Sequence, residues 1–241
     1  MENNRCPARC IKKPRNRIVV LMIATGPECI AYIPPLLESL RTYFPPHDPY
    51  VFTDRDEPLE ATKIYHPHTG WPEVTLRRFH AALSQKETLL KYDYVMFLDT
   101  DMLACSPMVV EELFGEGTTS VVHPCYPDCF ERRPESEACV VGNPTYYQGC
   151  LAGGSTSAFI KMCEAITKGI DKDKENGITA VWFEESHMNK YLSENPPVRS
   201  LSPSYAFPIL RCLVRPETWL GTTNPETYVP KIRHLHKTWK K

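Results

Sequence analysis

The sequence predicts an α/β fold, on three observations: a continuous apolar run ending in a turn, a strand-helix-strand unit directly after it, and a second buried strand ending in two aspartates. Ile18-Val-Val-Leu-Met-Ile-Ala24 is apolar throughout and stops at Thr25-Gly26-Pro27, the pattern of a strand covered on both faces in a parallel sheet. Pro34-Pro35 opens a helix that places Leu36, Leu37, Leu40 and Phe44 on one side, and a short strand Tyr50-Val-Phe-Thr53 closes the unit at Asp54. A helix from about Thr75 to Lys91, with Leu76, Phe79, Leu83 and Leu90 at helical spacing, leads to the strand Tyr94-Val-Met-Phe-Leu98. Beyond Asp101 the pattern loosens into Pro- and Cys-containing loops, a strand-like Ser120-Val-Val-His123, and the stretch Thr145 to Ser155, which reads as a binding loop. A helix over about 156–168 follows. Ala180 to Leu192 then turns helical after its acidic pair. Residues 1–17, polar and basic with two prolines, read as an arm, and 18–241 as one domain.

Composition narrows the functions available. The 241 residues are 42% hydrophobic and 24% charged, within the range of ordinary globular chains. Twenty-eight basic residues against twenty-nine acidic ones leave a formal charge of −1, so no electrostatic footprint for nucleic acid is expected. The longest apolar run has seven residues, far from the ~20 that span a bilayer; with no export signal in view, a cytoplasmic location and reduced cysteines are expected. Ten cysteines are then mostly small buried side chains. A structural zinc on Cys6, Cys10, Cys125 and Cys129, with His123 nearby, is the alternative.

Asp99-Thr100-Asp101 follows a buried strand, so both carboxylates stand at the carboxyl edge of the sheet within reach of one hard cation. On these residues alone, capping a turn explains the pair equally well. Glu184 and Glu185 sit near a helix start, where backbone dipoles favour negative charge. Neighbouring Trp182 suits either a core or the apolar face of a sugar. Gly149, Gly153 and Gly154 permit close backbone approach or a tight turn. Arg77, Arg78 and Lys237 are phosphate partners or solvated surface charges.

Taken in order, six segments carry a resemblance: Val51-Phe-Thr-Asp54, Phe97-Leu-Asp-Thr-Asp101, Phe130-Glu-Arg-Arg-Pro134, Tyr146-Tyr147 with Gly153-Gly154-Ser155, Trp182 with Glu184 to Leu192, and Leu201-Ser-Pro203. From Ile18 to the C-terminus the chain resembles glycosyltransferase family 6, the retaining α-1,3-galactosyl and N-acetylgalactosaminyl transferases. The resemblance implies a GT-A fold, with a Rossmann-like nucleotide-binding half and a mixed central sheet flanked by helices. It also implies a UDP-Gal or UDP-GalNAc donor, a galactoside acceptor, and Mn²⁺ or another divalent cation such as Mg²⁺. Asp99 and Asp101 would hold the metal and Thr100 would line the ribose. Ile23, Ala24 and Thr25 would meet uridine, Arg78 would bind the donor, and Lys237, in a C-terminal tail closing over the donor, would cover the diphosphate. Glu185 matches the glutamate that acts as nucleophile or as stabiliser of front-face transfer. With His123, Gln148 and Trp182 it would line the acceptor site, while Gln148, Gly149, Cys150 and Glu184 would contact the donor sugar.

The chain departs from the family pattern at Phe183, where histidine is usual, at Pro208, where an acceptor-contacting aspartate is expected, at Cys150, and around Glu28 and Cys29, which lack the aromatic that stacks on uracil. A glycan-binding homologue without transfer is therefore the second reading. A Golgi membrane location would follow if an anchor preceded Met1.

Overall fold

In a computed structural model the described residues are 16–208 and 229–235. The chain opens with β1 (Ile18–Ile23), α1 (Gly26–Ile30), α2 (Ile33–Tyr43), β2 (Asp48–Thr53) and β3 (Thr62–Tyr65). Next come α3 (Glu73–Leu76), α4 (Arg78–Leu83), α5 (Lys86–Leu89), β4 (Tyr94–Leu98), β5 (Met102–Ala104), α6 (Val110–Leu113) and β6 (Thr118–Val122). The remainder is β7 (Tyr147–Ser155), α7 (Thr156–Glu175), α8 (Phe183–Glu194), β8 (Arg199–Leu201), a 3₁₀ turn (Pro203–Ala206), β9 (Phe207–Pro208) and β10 (Ile232–His234).

Seven strands form one mixed sheet in the order β3-β2-β1-β4-β7-β6-β8. Strands β1 to β4 are mutually parallel, β7 runs antiparallel to both neighbours, and β8 is parallel to β6. A second sheet joins β5, β10 and β9. Apolar β1 is explained by its two faces. Ile18, Val20 and Met22 pack with Ile33, Leu36 and Leu40 of α2, whereas Val19 and Leu21 join Phe79 of α4 and Phe159, Met162 and Ile166 of α7. Side chains alternate across a strand, so a sheet covered on both sides demands apolar residues at every position.

Four expectations about the elements are corrected. The helix expected over about 75–91 is α3, α4 and α5, broken at Arg77 (φ −97°, ψ 6°) and Gln85 (φ −105°, ψ 15°). At the first break, Arg77 pairs outward with Glu73 and Asp171 while Arg78 enters the interior. The stretch expected as a binding loop is largely β7, in the middle of the sheet. Its Gly153-Gly154 is a packing requirement: a Cβ at Gly153 would lie 2.5 Å from the Val95 carbonyl oxygen, and one at Gly154 (φ +140°) 2.2 Å from that of Gly117. Helix α8 starts before the acidic pair rather than after it, at Phe183, whose φ is +51°. Helix α7 also runs seven residues beyond the expected Lys168, because the buried Asp173 near its end accepts bonds from Ser136 Oγ (2.6 Å) and Glu137 N (2.7 Å).

The expectation of reduced cysteines fails at Cys125, which is disulfide-bonded, so its sulfur is not a thiolate for zinc. Cys29, Cys105, Cys129, Cys139, Cys150 and Cys163 are free thiols. Cys6 and Cys10 lie outside the described residues.

The packing at β7 predicts that Gly154→Ala lowers unfolding free energy by about 3 kcal/mol. Gly142→Ala, with positive φ but no atom within 4 Å of the added carbon, should cost only about 1 kcal/mol. Urea unfolding checks this; equal losses would contradict it.

Candidate active site at the carboxyl edge of the sheet

Where β1 and β4 end, the chain leaves a cavity of about 970 Å³. Its floor carries Asp99 and Thr100, directly after β4, together with Gln148, Gly149 and Cys150 of β7. One end is formed by Ile23, Thr25, Gly26 and His68, and the other by Trp71, Trp182, Phe183, Glu184 and Glu185. Of the sequence-predicted residues, Ile23, Thr25, Arg78, Asp99, Thr100, Gln148, Gly149, Cys150, Trp182, Glu184 and Glu185 line this cavity, whereas Asp101 and His123 are buried outside its lining. Ala24 lies beneath it, fully buried, its carbonyl accepting a 2.7 Å bond from Thr53 Oγ1. Lys237 lies outside the described residues.

Arg78 is the centre of the charge arrangement. Its side chain is 10% exposed; Nη1 is 2.9 Å from Asp99 Oδ1 and donates to the Gly149 carbonyl at 2.7 Å, and Nε is 3.1 Å from Glu184 Oε1. The Nε contact is a close ion pair without hydrogen-bond alignment. Burial opposes the guanidinium charge, but the Asp99 and Glu184 carboxylates outweigh it and hold the group ionised. Burial also pushes the Glu184 carboxyl up to about 8, against the pull of Arg78. Glu184 Oε2 has no hydrogen-bond partner among the described residues.

Glu185 is held by both oxygens. Oε1 accepts from the Tyr146 hydroxyl at 2.5 Å, and Oε2 accepts from Gly149 N at 2.6 Å. Burial raises its pKa; the two hydrogen bonds and Arg78 pull the other way. Gly149 leaves room for that carboxylate, since a Cβ there would stand 3.0 Å from Glu185 Oε2 and push it from its place. Asn189 ties α8 to β7: its amide donates to the carbonyls of Glu185 (3.0 Å) and Tyr147 (2.8 Å) and accepts from Tyr147 N (2.8 Å). Upstream, the left-handed Phe183 sets its ring edge-on to Trp71 at 5.1 Å between centroids. Trp71 is 74% and Trp182 48% exposed, an aromatic rim of the kind that suits the apolar face of a sugar ring.

Side-chain oxygens of Asp99 and Asp101 and a ring nitrogen of His234 all lie within 4.8 Å of one another. Two hard carboxylates and a borderline imidazole suit a divalent cation such as Mn²⁺ or Mg²⁺. His234 arrives from β10, whose antiparallel register sets it opposite Met102, next to Asp101.

His123 stands behind Tyr146, ring centroids 5.8 Å apart. Its Nδ1 accepts from the backbone N–H groups of Cys125 and Tyr126, both at 3.0 Å.

Tyr146, Asn189 and His234 were not singled out by sequence reasoning as functional residues. Tyr146 and Asn189 sit inside two of the six segments, and that was their only signal. His234 depends on a β-pairing more than 130 residues away in the chain.

A mixed α/β sheet with an Asp-X-Asp pair at the carboxyl end of a buried strand defines a GT-A-type domain. The glycosyltransferase family 6 model matches residues 47–213, and the chain belongs to that family. It is 30% identical over 217 residues to the Histo-blood group ABO system transferase 2 of Rattus norvegicus, covering 79% of this chain and 64% of that protein. To the human Globoside alpha-1,3-N-acetylgalactosaminyltransferase 1 it is 31% identical over 177 residues, 65% of this chain and 50% of the relative. The O-antigen biosynthesis glycosyltransferase WbnI of Escherichia coli is 29% identical over 176 residues, 66% of this chain and 73% of its own length. The chain thus spans roughly half to two thirds of the length of the mammalian relatives. Among the described residues no helix is long and apolar enough to cross a membrane.

Burial brings the His123 pKa down to about 3. The unfolded imidazole, near 6.5, binds its proton first, so the stability this residue contributes is complete above about pH 6.5 and is lost as pH falls toward 3. NMR of ¹⁵N-labelled protein should show His123 Nδ1 bare and untitrated from pH 8 to about pH 5; a midpoint near 6.5 would contradict the burial argument.

Proposed function

We propose that this chain is a retaining, metal-dependent glycosyltransferase. It moves Gal or GalNAc from a UDP-sugar to the 3-hydroxyl of a β-galactoside, including fucosylated ones, in α linkage. The observation that carries this reading is the shared guanidinium: Arg78 contacts both Asp99 and Glu184, and Asp99 of the Asp-X-Asp pair lines one cavity with Glu184 and Glu185. A divalent cation bound at Asp99 and Asp101 would neutralise the negative charge that a departing diphosphate develops.

The chain's own residues supply the rest. Ile23 and Thr25, on either side of the buried Ala24, would take uridine, with Thr100 at the ribose. Arg78 fixes the Asp99 carboxylate and, through the Gly149 carbonyl, the strand that carries the sugar-contacting Gln148, Gly149 and Cys150. Glu185, oriented by the Tyr146 hydroxyl and Gly149 N–H, presents negative charge to the anomeric carbon. There it either attacks or stabilises an oxocarbenium-like centre. Glu184, carrying an unpaired buried oxygen, is available to a sugar hydroxyl. Trp182 packs against the acceptor, and His123 supports that wall from behind Tyr146. Preorganised charges of this kind, set before the reaction rather than during it, act where water is excluded.

The test is UDP release from UDP-Gal and UDP-GalNAc with Mn²⁺, with and without a fucosylated galactoside. Turnover that needs both metal and acceptor is expected; glycan binding with no release under any condition would contradict transfer. Asp101→Ala should abolish metal-dependent turnover. Glu185→Gln should lower kcat by about a hundredfold or more with UDP affinity nearly intact; a Glu185→Gln variant as fast as the parent would remove that residue from the chemistry.

A further inference from the structure

The Asp99-Asp101 pair, read above as a cation site, is approached by a hydrogen-bonded side-chain relay that the transfer reaction does not itself require. Backbone pairing fixes it: His234 lies opposite Met102 in the β10/β5 ladder, and Leu235 N donates to the Asp101 carbonyl at 2.7 Å. The imidazole is then bounded on both sides. Nε2 is 3.1 Å from Asp101 Oδ2, and Nδ1 is 3.1 Å from Gln148 Nε2. Gln148 stands at the irregularity where β7 shifts register against β6, the pairing jumping from Ala152 opposite Ser120 to Gln148 opposite Val121. Bulges of this kind re-aim side chains near functional sites.

The proton positions in this relay are informative. An amide nitrogen can only donate, so in the arrangement as it stands Nδ1 accepts from Gln148 and the ring proton sits on Nε2, shared with Asp101. The same arrangement leaves Gln148 Oε1 buried with no hydrogen-bond partner among the described residues, a cost that buried polar groups rarely bear. The two ends of a carboxamide are nearly equal in size, so the group can turn over in place. Oε1 then accepts from Nδ1–H, and the Nε2 lone pair is released toward the carboxylates. A lone pair facing Asp101 Oδ2 is repulsive unless positive charge lies between them. A proton or a metal ion can supply that charge, and only the metal uses the Nε2 lone pair as a ligand.

We propose that His234 is the third protein ligand of the cation held by Asp99 and Asp101, through Nε2, and that Gln148 is the positioning residue that selects the binding tautomer by accepting the Nδ1 proton. Ligating histidines characteristically donate their second ring N–H to such an acceptor, and its removal costs about 10–100-fold in metal affinity. The proposal makes Gln148 a determinant of metal affinity as well as a residue facing the sugar.

The experiment uses Mn²⁺ alone as probe, on the full chain without nucleotide or acceptor. Electron spin-echo modulation of the Mn²⁺-loaded parent should show a directly coordinated imidazole ¹⁴N, a result that depends on no variant folding. His234→Ala should lose that coupling and weaken Mn²⁺ binding by about tenfold or more. Gln148→Leu should weaken it by about tenfold or more, while Gln148→Glu, which restores an acceptor for the Nδ1 proton, should bind at least as tightly as the parent. A merely structural role for Gln148 would not be rescued by glutamate. Mn²⁺ bound with no nitrogen coupling, a coupling that survives His234→Ala, or equal affinities for Gln148→Leu and Gln148→Glu would overturn the proposal and leave the transferase reading standing. No Mn²⁺ binding by the parent would overturn both.

Discussion

One buried guanidinium organises this protein's candidate active site. Arg78 reaches Asp99 after β4, Glu184 in α8 and the Gly149 carbonyl of β7, elements that are remote in sequence and would otherwise leave two neighbouring carboxylates without a counter-charge. Burying charge is expensive, and breaking such a cluster by removing one partner leaves the others uncompensated at about 3–5 kcal/mol. Arginine suits the post because its planar fork serves several acceptors at once and remains charged when desolvated. The break between α3 and α4 belongs to the same constraint: it separates Arg77, engaged at the surface, from Arg78, engaged inside.

Around that centre the backbone does much of the positioning. Gly149 donates its N–H to Glu185 and its carbonyl accepts from Arg78, so one peptide segment aligns both the acidic pair and its counter-charge. Glu185 keeps little freedom once the Tyr146 hydroxyl holds its other oxygen. Phe183 adopts a left-handed backbone at the start of α8, a conformation that costs about 1–2 kcal/mol in a residue with a side chain. Its neighbours on either side, Trp182 and Glu184, both line the cavity, the first 48% exposed and the second buried. Strain of this order persists where surrounding contacts over-determine it, and such positions cluster at functional sites.

The local patterns and the family motifs were both legible in the sequence, because each leaves a local mark. Apolar β1, the strand leading to Asp99, and the helix through Leu36 and Leu40 are periodic signals that burial later explains. The motifs carried Glu184 and Glu185, the resemblance they established added Arg78, and the three line one cavity. What was hidden is set by tertiary pairing. Strand β7 is rich in glycine and small residues, so its propensity points to a loop, and only its close approach to Val95 and Gly117 explains why it is a strand. Arg77 and Gln85 carry no helix-breaking side chain, yet the helix breaks at both, and at the first break the long-range ion pairs of Arg77 and Arg78 point in different directions. His234 joins the carboxylates through a ladder closed late in the chain, and Cys125 is disulfide-bonded where composition and chain length pointed to thiols.

The proposed chemistry requires a cation and a nucleoside diphosphate in one cavity together, with Asp99, which Arg78 helps to hold, as their common contact. Isothermal titration of the protein with UDP, in the presence and absence of saturating Mn²⁺, measures that coupling directly. The dissociation constant for UDP should fall by about tenfold or more when Mn²⁺ is present, with the same factor recovered when the order of addition is reversed. Identical UDP affinities with and without Mn²⁺ would contradict the account.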